Sequence, residues 1–211
     1  MKPLRIALTK GRLEEKTIEL FEKSGIDCST LRDKGRKLIF PLDDGKIEVM
    51  LVKSTDVITY VEHGICDMGV VGKDTIMEFG HSFYEIADLG FGKCRMVLAS
   101  YPQDFYKGYD KKVIATKFEK IAREYFSSKK IDIEIIKIEG SVELAPILGF
   151  ADGIVDLVET GTTLKENGLV ILEEICNVSA RLIVNIAAMK MRKAEIEGFA
   201  TKIGVNNNEK L

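Results

Sequence analysis

The 211-residue chain has no surplus of positive charge. Its 31 lysines and arginines face 33 aspartates and glutamates, for a formal net charge of −2. That excludes non-specific binding along a nucleic-acid backbone, which draws on massed cations. Any phosphate has to be held by a local group. Histidine is scarce: His63 and His81 are the only two, and both read as surface helix or loop residues. No Ser/His/Asp or Cys/His set assembles around them. Cysteine is thinly spread, at Cys28, Cys66, Cys94 and Cys176. These gaps are too wide for a CxxC metal or redox motif, and the usage suits a reducing compartment where thiols serve as small hydrophobes. No run approaches the ~18–20 apolar residues of a membrane helix. Met1-Lys2-Pro3 leads straight into a strand-like segment, without the apolar stretch of a signal peptide. A cytoplasmic protein is expected. Low-complexity linkers and obvious repeats are missing too. What remains is ordinary globular composition, 45% hydrophobic and 30% charged, enough for one large domain or two small ones.

Apolar periodicity divides the chain into alternating elements. Strands are expected at residues 4–8, 67–71, 84–89 and 95–101, and a hairpin over 37–42 and 46–52 around Asp43-Asp44-Gly45. Helices are expected at 12–23, 55–63 and 73–78. The pattern then starts again, with strands at 112–116, 131–138, 153–158 and 169–175 and helices at 118–126 and 142–148. Residues 179–186 fit a strand or a buried helix, and 190–199 a single helix. The tail Asn206-Asn207-Asn208-Glu209-Lys210 is polar and expected to fray. This alternation predicts an α/β fold with mostly parallel sheets. Two such series predict two lobes with the site in the cleft between them, one from 1–95 with 177–211 and the other from 96–176.

The most informative stretch is Gly153-Ile-Val-Asp-Leu-Val-Glu-Thr-Gly-Thr-Thr-Leu164. An apolar strand runs into Glu159-Thr160-Gly161-Thr162-Thr163 and then a polar helix. Such a turn gathers backbone N–H groups and hydroxyls around an anion. The acids Asp156 and Glu159 just upstream suit ribose hydroxyls or a metal-bound water, so the combination fits a sugar phosphate. Local chemistry also allows a plainer account, in which Thr163 and Glu166 form a capping box. A second cluster, Thr9-Lys10-Gly11-Arg12, follows the first strand, where α/β sheets open onto ligands. Its cations oppose the helix dipole and call for an anion. A third, Gly90-Phe-Gly-Lys-Cys-Arg95, reads equally as a glycine turn. Gly69-Val-Val-Gly72-Lys73-Asp74 resembles the end of a P-loop, but Asp74 replaces Ser/Thr and Asp67 stands where the first glycine belongs. No GxGxxG follows a strand.

Glu143, Gly149, Ala151, Ile154, Asp156, Leu157, Thr160, Gly161, Thr163 and Leu164 fall at the spacing of the ATP phosphoribosyltransferase signature. The sequence also resembles that family in Leu8-Thr9-Lys10-Gly11-Arg12-Leu13, in Gly35-Arg36-Lys37-Leu38-Ile39-Phe40 and in Tyr60-Val61-Glu62-His63-Gly64. The likeness continues in Asp67-Met68-Gly69-Val70-Val71-Gly72-Lys73-Asp74 and Gly92-Lys93-Cys94-Arg95. The resemblance implies two lobes like those of periplasmic solute-binding proteins. It implies that Glu159, Thr160, Gly161, Thr162 and Thr163 hold the 5′-phosphate of phosphoribosyl pyrophosphate, with Asp156 near the ribose. Lys10, Arg12, Arg36 and Lys53 would face the polyphosphates. Asp67, Met68, Gly92, Lys93 and Arg95 would lie near the nucleotide, and Glu143 would hold the nucleotide or a magnesium-bound water, or cap its own helix. Mg²⁺ would arrive on the polyphosphates.

Three positions depart from the family pattern. Lys53 stands where relatives commonly have arginine, which grips phosphate with two N–H groups where lysine offers a point charge. Ile58 replaces a usual proline, and Thr9 a frequent proline or serine. Beyond Ile203 only the polar tail follows, so the likeness is to the family's short form. That form implies a regulatory partner related to histidyl-tRNA synthetase, with this chain a homodimer within a hetero-octamer. The implied reaction is attack by adenine N1 of ATP on C1 of the phosphoribosyl group with loss of pyrophosphate, the first step of histidine biosynthesis. N1 already has a free lone pair, so no strong base is required.

Overall fold

A computed structural model describes residues 2–102, 105–106 and 110–205. The chain opens with β1 (Leu4–Thr9), an apolar strand buried on both faces. Then α1 (Arg12–Lys23) turns a stripe containing Ile18 and Phe21 inward. A one-turn helix α2 (Ser29–Arg32), too short to leave a periodic signal, precedes the hairpin β2 (Ile39–Leu42) and β3 (Ile47–Val52). Asp43 and Asp44 make the hairpin's tight turn with φ of 50° and 54°, values that aspartate tolerates better than most residues. Next come α3 (Ser54–Glu62), β4 (Met68–Gly72), α4 (Lys73–Phe79) and β5 (Tyr84–Asp88).

The following stretch holds β6 (Cys94–Ser100), β7 (Lys112–Thr116), α5 (Glu119–Ser128), β8 (Ile133–Lys137) and α6 (Leu144–Ile147). It continues with β9 (Gly153–Val158), α7 (Thr162–Glu166) and β10 (Val170–Val178). The segment left open as strand or helix is a strand, β11 (Ala180–Val184). The single helix expected over 190–199 is two, α8 (Ile186–Met191) and α9 (Lys193–Lys202). The break falls at Arg192, whose φ of −128° leaves the helical range. Its guanidinium turns away to the Lys2 and Pro3 carbonyls, Asp67 and Glu195. The expected tail at 206–210 lies outside the described residues.

The chain separates into two compact units, one formed by the residues up to Gly92 together with those from Ser179 onward, the other by Lys93–Val178. The first unit has a six-stranded sheet ordered β2-β3-β1-β4-β11-β5, and the second a five-stranded sheet ordered β10-β6-β9-β7-β8. Neither is mostly parallel. The parallel pairs are β1–β3, β1–β4, β7–β8 and β7–β9, and the other five are antiparallel. Apart from the β2–β3 hairpin, every antiparallel pair contains β6, β10 or β11. These strands flank the two points where the chain passes between units, and an apolar pattern does not reveal which strands do so.

In the first unit α1 and α9 cover one sheet face, where Ile18, Phe21, Ile196 and Phe199 join the core. The Phe21 and Phe199 rings meet edge to face at 5.5 Å. On the other face, α3 packs Val57, Ile58 and Val61 against Ala7 and Val71. In the second unit Leu164 of α7 joins Val97, Ala115, Ile154 and Val158, which fixes the start of α7 to the sheet. No helix among the described residues is long and apolar enough to cross a membrane.

Candidate active site

In the first unit β3, β1 and β4 run parallel, so their carboxyl ends share one edge. The Lys10 amide donates to the Val52 carbonyl at 2.9 Å, and the Thr9 hydroxyl to the Val70 carbonyl at 3.0 Å. These bonds tie the three strand ends together. Helices α1, α3 and α4 start there, and helix N-termini present partial positive charge. Lys10 and Arg12 occupy the β1–α1 connection, and Lys53 is the residue that opens α3. Arg36 arrives by a different route. Because β2 pairs antiparallel with β3 and Ile39 lies opposite Met50, the loop entering β2 starts beside the carboxyl end of β3. The fold therefore collects Lys10, Arg12, Arg36 and Lys53 at one edge. Lys10, Arg36 and Lys53 form no ion pair with a described residue.

Asp67 and Met68 are not part of that group. Asp67 precedes β4, and its amide donates to the Arg5 carbonyl at the start of β1. It sits a strand length away, roughly 15–20 Å at 3.3 Å per residue. One carboxylate oxygen accepts from both the Arg5 amide and Arg192, each at 2.9 Å, so the side chain anchors the N-terminal strand. Met68 is fully buried in the core. Gly92 has φ 65°, in the left-handed range that favours glycine.

In the second unit β9 and the turn after it form a pocket of about 250 Å³ lined by Glu143 and by every residue from Asp156 to Leu164. Gly161 is the residue before α7, with φ 81°, a left-handed conformation that glycine adopts without strain. Thr163 consequently lies inside the first helical turn, and the capping box that the sequence allowed is not formed. Thr160 and Thr162 hydroxyls are 3.1 Å apart, and the Thr162 amide approaches the Thr160 hydroxyl at 3.4 Å. Glu143 opens α6, which follows β8, and so reaches the carboxyl edge of the parallel strands β9, β7 and β8. Arg95 pairs with Val158 across β6 and β9, which puts it beside the end of β9 with Lys93 just ahead. Arg95 is held by an ion pair with Glu174 of β10, a tie that the sequence did not signal.

Among the described residues no group of three or more His, Cys, Asp or Glu side chains is placed to hold a metal ion. Glu143, Asp156 and Glu159 do supply hard oxygen donors around the pocket. These fit a magnesium-type cation that brings most of its own ligands on a phosphate chain.

Residues 53–204 match the family model for HisG, ATP phosphoribosyltransferase. The chain is 58% identical over 207 residues to the ATP phosphoribosyltransferase of Clostridium kluyveri, covering 98% of this chain and 94% of the relative. It is 57% identical to that of Clostridium novyi, covering 98% and 100%. The chain belongs to the ATP phosphoribosyltransferase family. A solved structure of the family, from the HisG:HisZ complex of Thermotoga maritima, superposes with a TM-score of 0.82 at 35% identity, over 95% of this chain and 96% of that one. The periplasmic aliphatic sulphonate binding protein SsuA of Escherichia coli gives a TM-score of 0.60 at 11% identity, over 96% and 72%. That likeness shows the two-unit, periplasmic-binding-protein-like fold alone. Within this sequence the family model takes in Lys53 and the whole pocket turn. Lys10, Arg12 and Arg36 fall in the part covered by the full-length relatives.

Proposed function

We propose that the chain transfers the phosphoribosyl group of phosphoribosyl pyrophosphate to N1 of the adenine of ATP, giving N1-(5-phosphoribosyl)-ATP and pyrophosphate, at the start of histidine biosynthesis. The observation that carries this reading is the pocket built by residues 156–164 in a member of this family. Its hydroxyls, its amides at Gly161 and Thr162 and the acid at Asp156 match a ribose 5-phosphate. The turn from Glu159 to Thr163 takes the phosphate on its hydroxyls and backbone amides, and Asp156 takes a ribose hydroxyl.

As C1 loses its bond to pyrophosphate it gains oxocarbenium character and the leaving group gains charge. The catalytic task is therefore to stabilise a departing polyanion and to hold N1 in line with C1. Lys10, Arg12, Arg36 and Lys53 supply the fixed cations, while Lys93, Arg95 and Glu143 hold the substrates from the second unit. The metal ion of this chemistry is Mg²⁺, which screens the polyphosphate charge when bound; Asp156, Glu159 and Glu143 are the oxygen groups suited to its water shell. The Thermotoga relative was solved in a complex with HisZ. A regulatory subunit of that kind, in a hetero-octamer built on a homodimer of this chain, is the expected partner, in the cytoplasm.

Purified chain mixed with ATP, phosphoribosyl pyrophosphate and Mg²⁺, with pyrophosphatase added, should give the ultraviolet absorbance of N1-alkylated adenine only when both substrates are present. Silence that persists after addition of the regulatory subunit would favour a non-catalytic binder or another acceptor base.

A further inference from the structure

Helix α1 starts at Gly11, which has φ 93° and ψ −139°, a conformation open essentially to glycine alone. Glycine has no side chain to accept from the first-turn amides. The helix is closed from the other direction: Glu14, at the third helical position, folds back so that its Oε2 accepts from the Gly11 amide at 3.2 Å. Glu14 is only 4% exposed, and a carboxylate so placed needs a partner. Its Oε1 is shielded from water. Against it lies the Lys34 ammonium, as an ion pair. Lys34 belongs to the loop that carries Arg36, and the Lys37 amide donates to the Lys34 carbonyl at 3.1 Å, closing a turn around Gly35 and Arg36. One buried carboxylate thus touches both segments that bring cations to the carboxyl edge of the sheet.

We propose that Glu14 is a positioning residue for polyphosphate binding. By holding the Gly11 amide and the Lys34 ammonium together it fixes where Lys10, Arg12 and Arg36 stand, without touching substrate itself. This rests on reading that edge as the polyphosphate site. The direction of its effect separates positioning from plain electrostatics. Removing a negative charge from among four cations raises the local positive potential, so charge alone predicts tighter polyphosphate binding in Glu14→Gln. Positioning predicts weaker binding.

Calorimetric titration with ATP and with inorganic tripolyphosphate, alongside steady-state kinetics, makes the distinction. Glu14→Gln and Lys34→Met should each weaken both ligands by about tenfold, the scale on which small misplacements act. KM for ATP should rise while kcat changes by less than about twofold. Because both act through one contact, the double variant should be no worse than either alone. Glu14→Asp, whose shorter arm keeps the charge, should recover part of the loss. Equal or tighter binding in Glu14→Gln overturns the proposal. Should that variant fail to fold, unchanged affinity in Lys34→Met, a half-exposed site, overturns it as well. Lys10→Met serves as the control for the underlying reading: if it too leaves tripolyphosphate affinity intact, the edge is not the polyphosphate site and the proposal falls with it.

Discussion

On the proposed reading, the two units would handle phosphate by different means. In the first unit the candidate groups are charges on long side chains, drawn from separate connections that meet because parallel strands end at one edge and an antiparallel hairpin returns Arg36 to it. In the second unit they are hydroxyls and backbone amides of one unbroken turn, braced by Leu164 in the core. The first arrangement suits a flexible polyphosphate of high charge, and the second suits a single phosphate of fixed geometry. Charges on exposed arms are screened by salt, whereas short hydrogen bonds to a pre-shaped turn depend on backbone conformation.

The largest expected effect tests whether each edge depends on its own core. Phe21 and Phe126 are fully buried, one in each unit. Phe21→Ala and Phe126→Ala should each lower unfolding free energy by about 3–5 kcal/mol in urea denaturation. A much smaller loss at either site would mean that its unit repacks freely. Next comes Gly161→Val. Holding a β-branched residue at φ 81° costs on the order of 1–3 kcal/mol, so phosphoribosyl pyrophosphate affinity should fall at least about tenfold. ATP affinity should barely move, and the melting midpoint should fall by roughly 2–12 °C, the scale of that strain in a chain of this size, with the fold kept. Normal phosphoribosyl pyrophosphate affinity would remove the turn from the site. Lys53→Arg should tighten polyphosphate binding only a few-fold, roughly 2–5-fold, by replacing a point charge with a fork. An unchanged Michaelis constant for ATP would leave that substitution without consequence.

Acid should act on the second unit through Glu173. Hydrogen bonds from Lys129 first, then Tyr106 and Tyr125, pull its carboxyl from the usual 4.5 down to about 2. A lowered folded-state value means that the stabilisation is complete above pH 4.5 and is lost as pH falls from there through about 2. Glu173→Gln should therefore flatten the acid limb of the stability curve in that window; an unaltered limb would show that the cluster contributes nothing. The smallest effect concerns thiols. Cys28 and Cys66 of the first unit are buried, and burial pushes them up to about 11 and about 12. Cys94 and Cys176 of the second unit are partly exposed. A thiol reagent at neutral pH should label the second pair well before the first, as read by mass spectrometry of peptides; simultaneous labelling would contradict the burial.

The same contrast governs what the sequence alone discloses. The pocket turn is contiguous, so an apolar run followed by Glu159-Thr160-Gly161-Thr162-Thr163 points to it directly. The cationic edge is not contiguous: nothing near Arg36 says that it lies beside the end of β3, and a hairpin register is needed to show it. The role of Asp67 depends on Arg192, 125 positions away, and so was out of reach. Glu14 leaves a faint local trace, a glutamate three residues after a glycine at a helix start, but its partner Lys34 comes from another loop. Strand positions were legible from apolar runs and strand direction was not, since direction is set by where the chain passes between units.

That passage also has a bearing on synthesis. In the first unit β11 is the one strand among the described residues that pairs with β5, and β11 is made about ninety residues after it, roughly 5–20 s at ordinary translation rates. The second unit, by contrast, is one continuous segment. On the ribosome the later-starting unit can be finished first, while β5 and the open side of β4 await the strand that slots between them. A chaperone that binds unpaired strands would meet this protein at that moment, and a pause in translation before residue 180 would prolong the encounter.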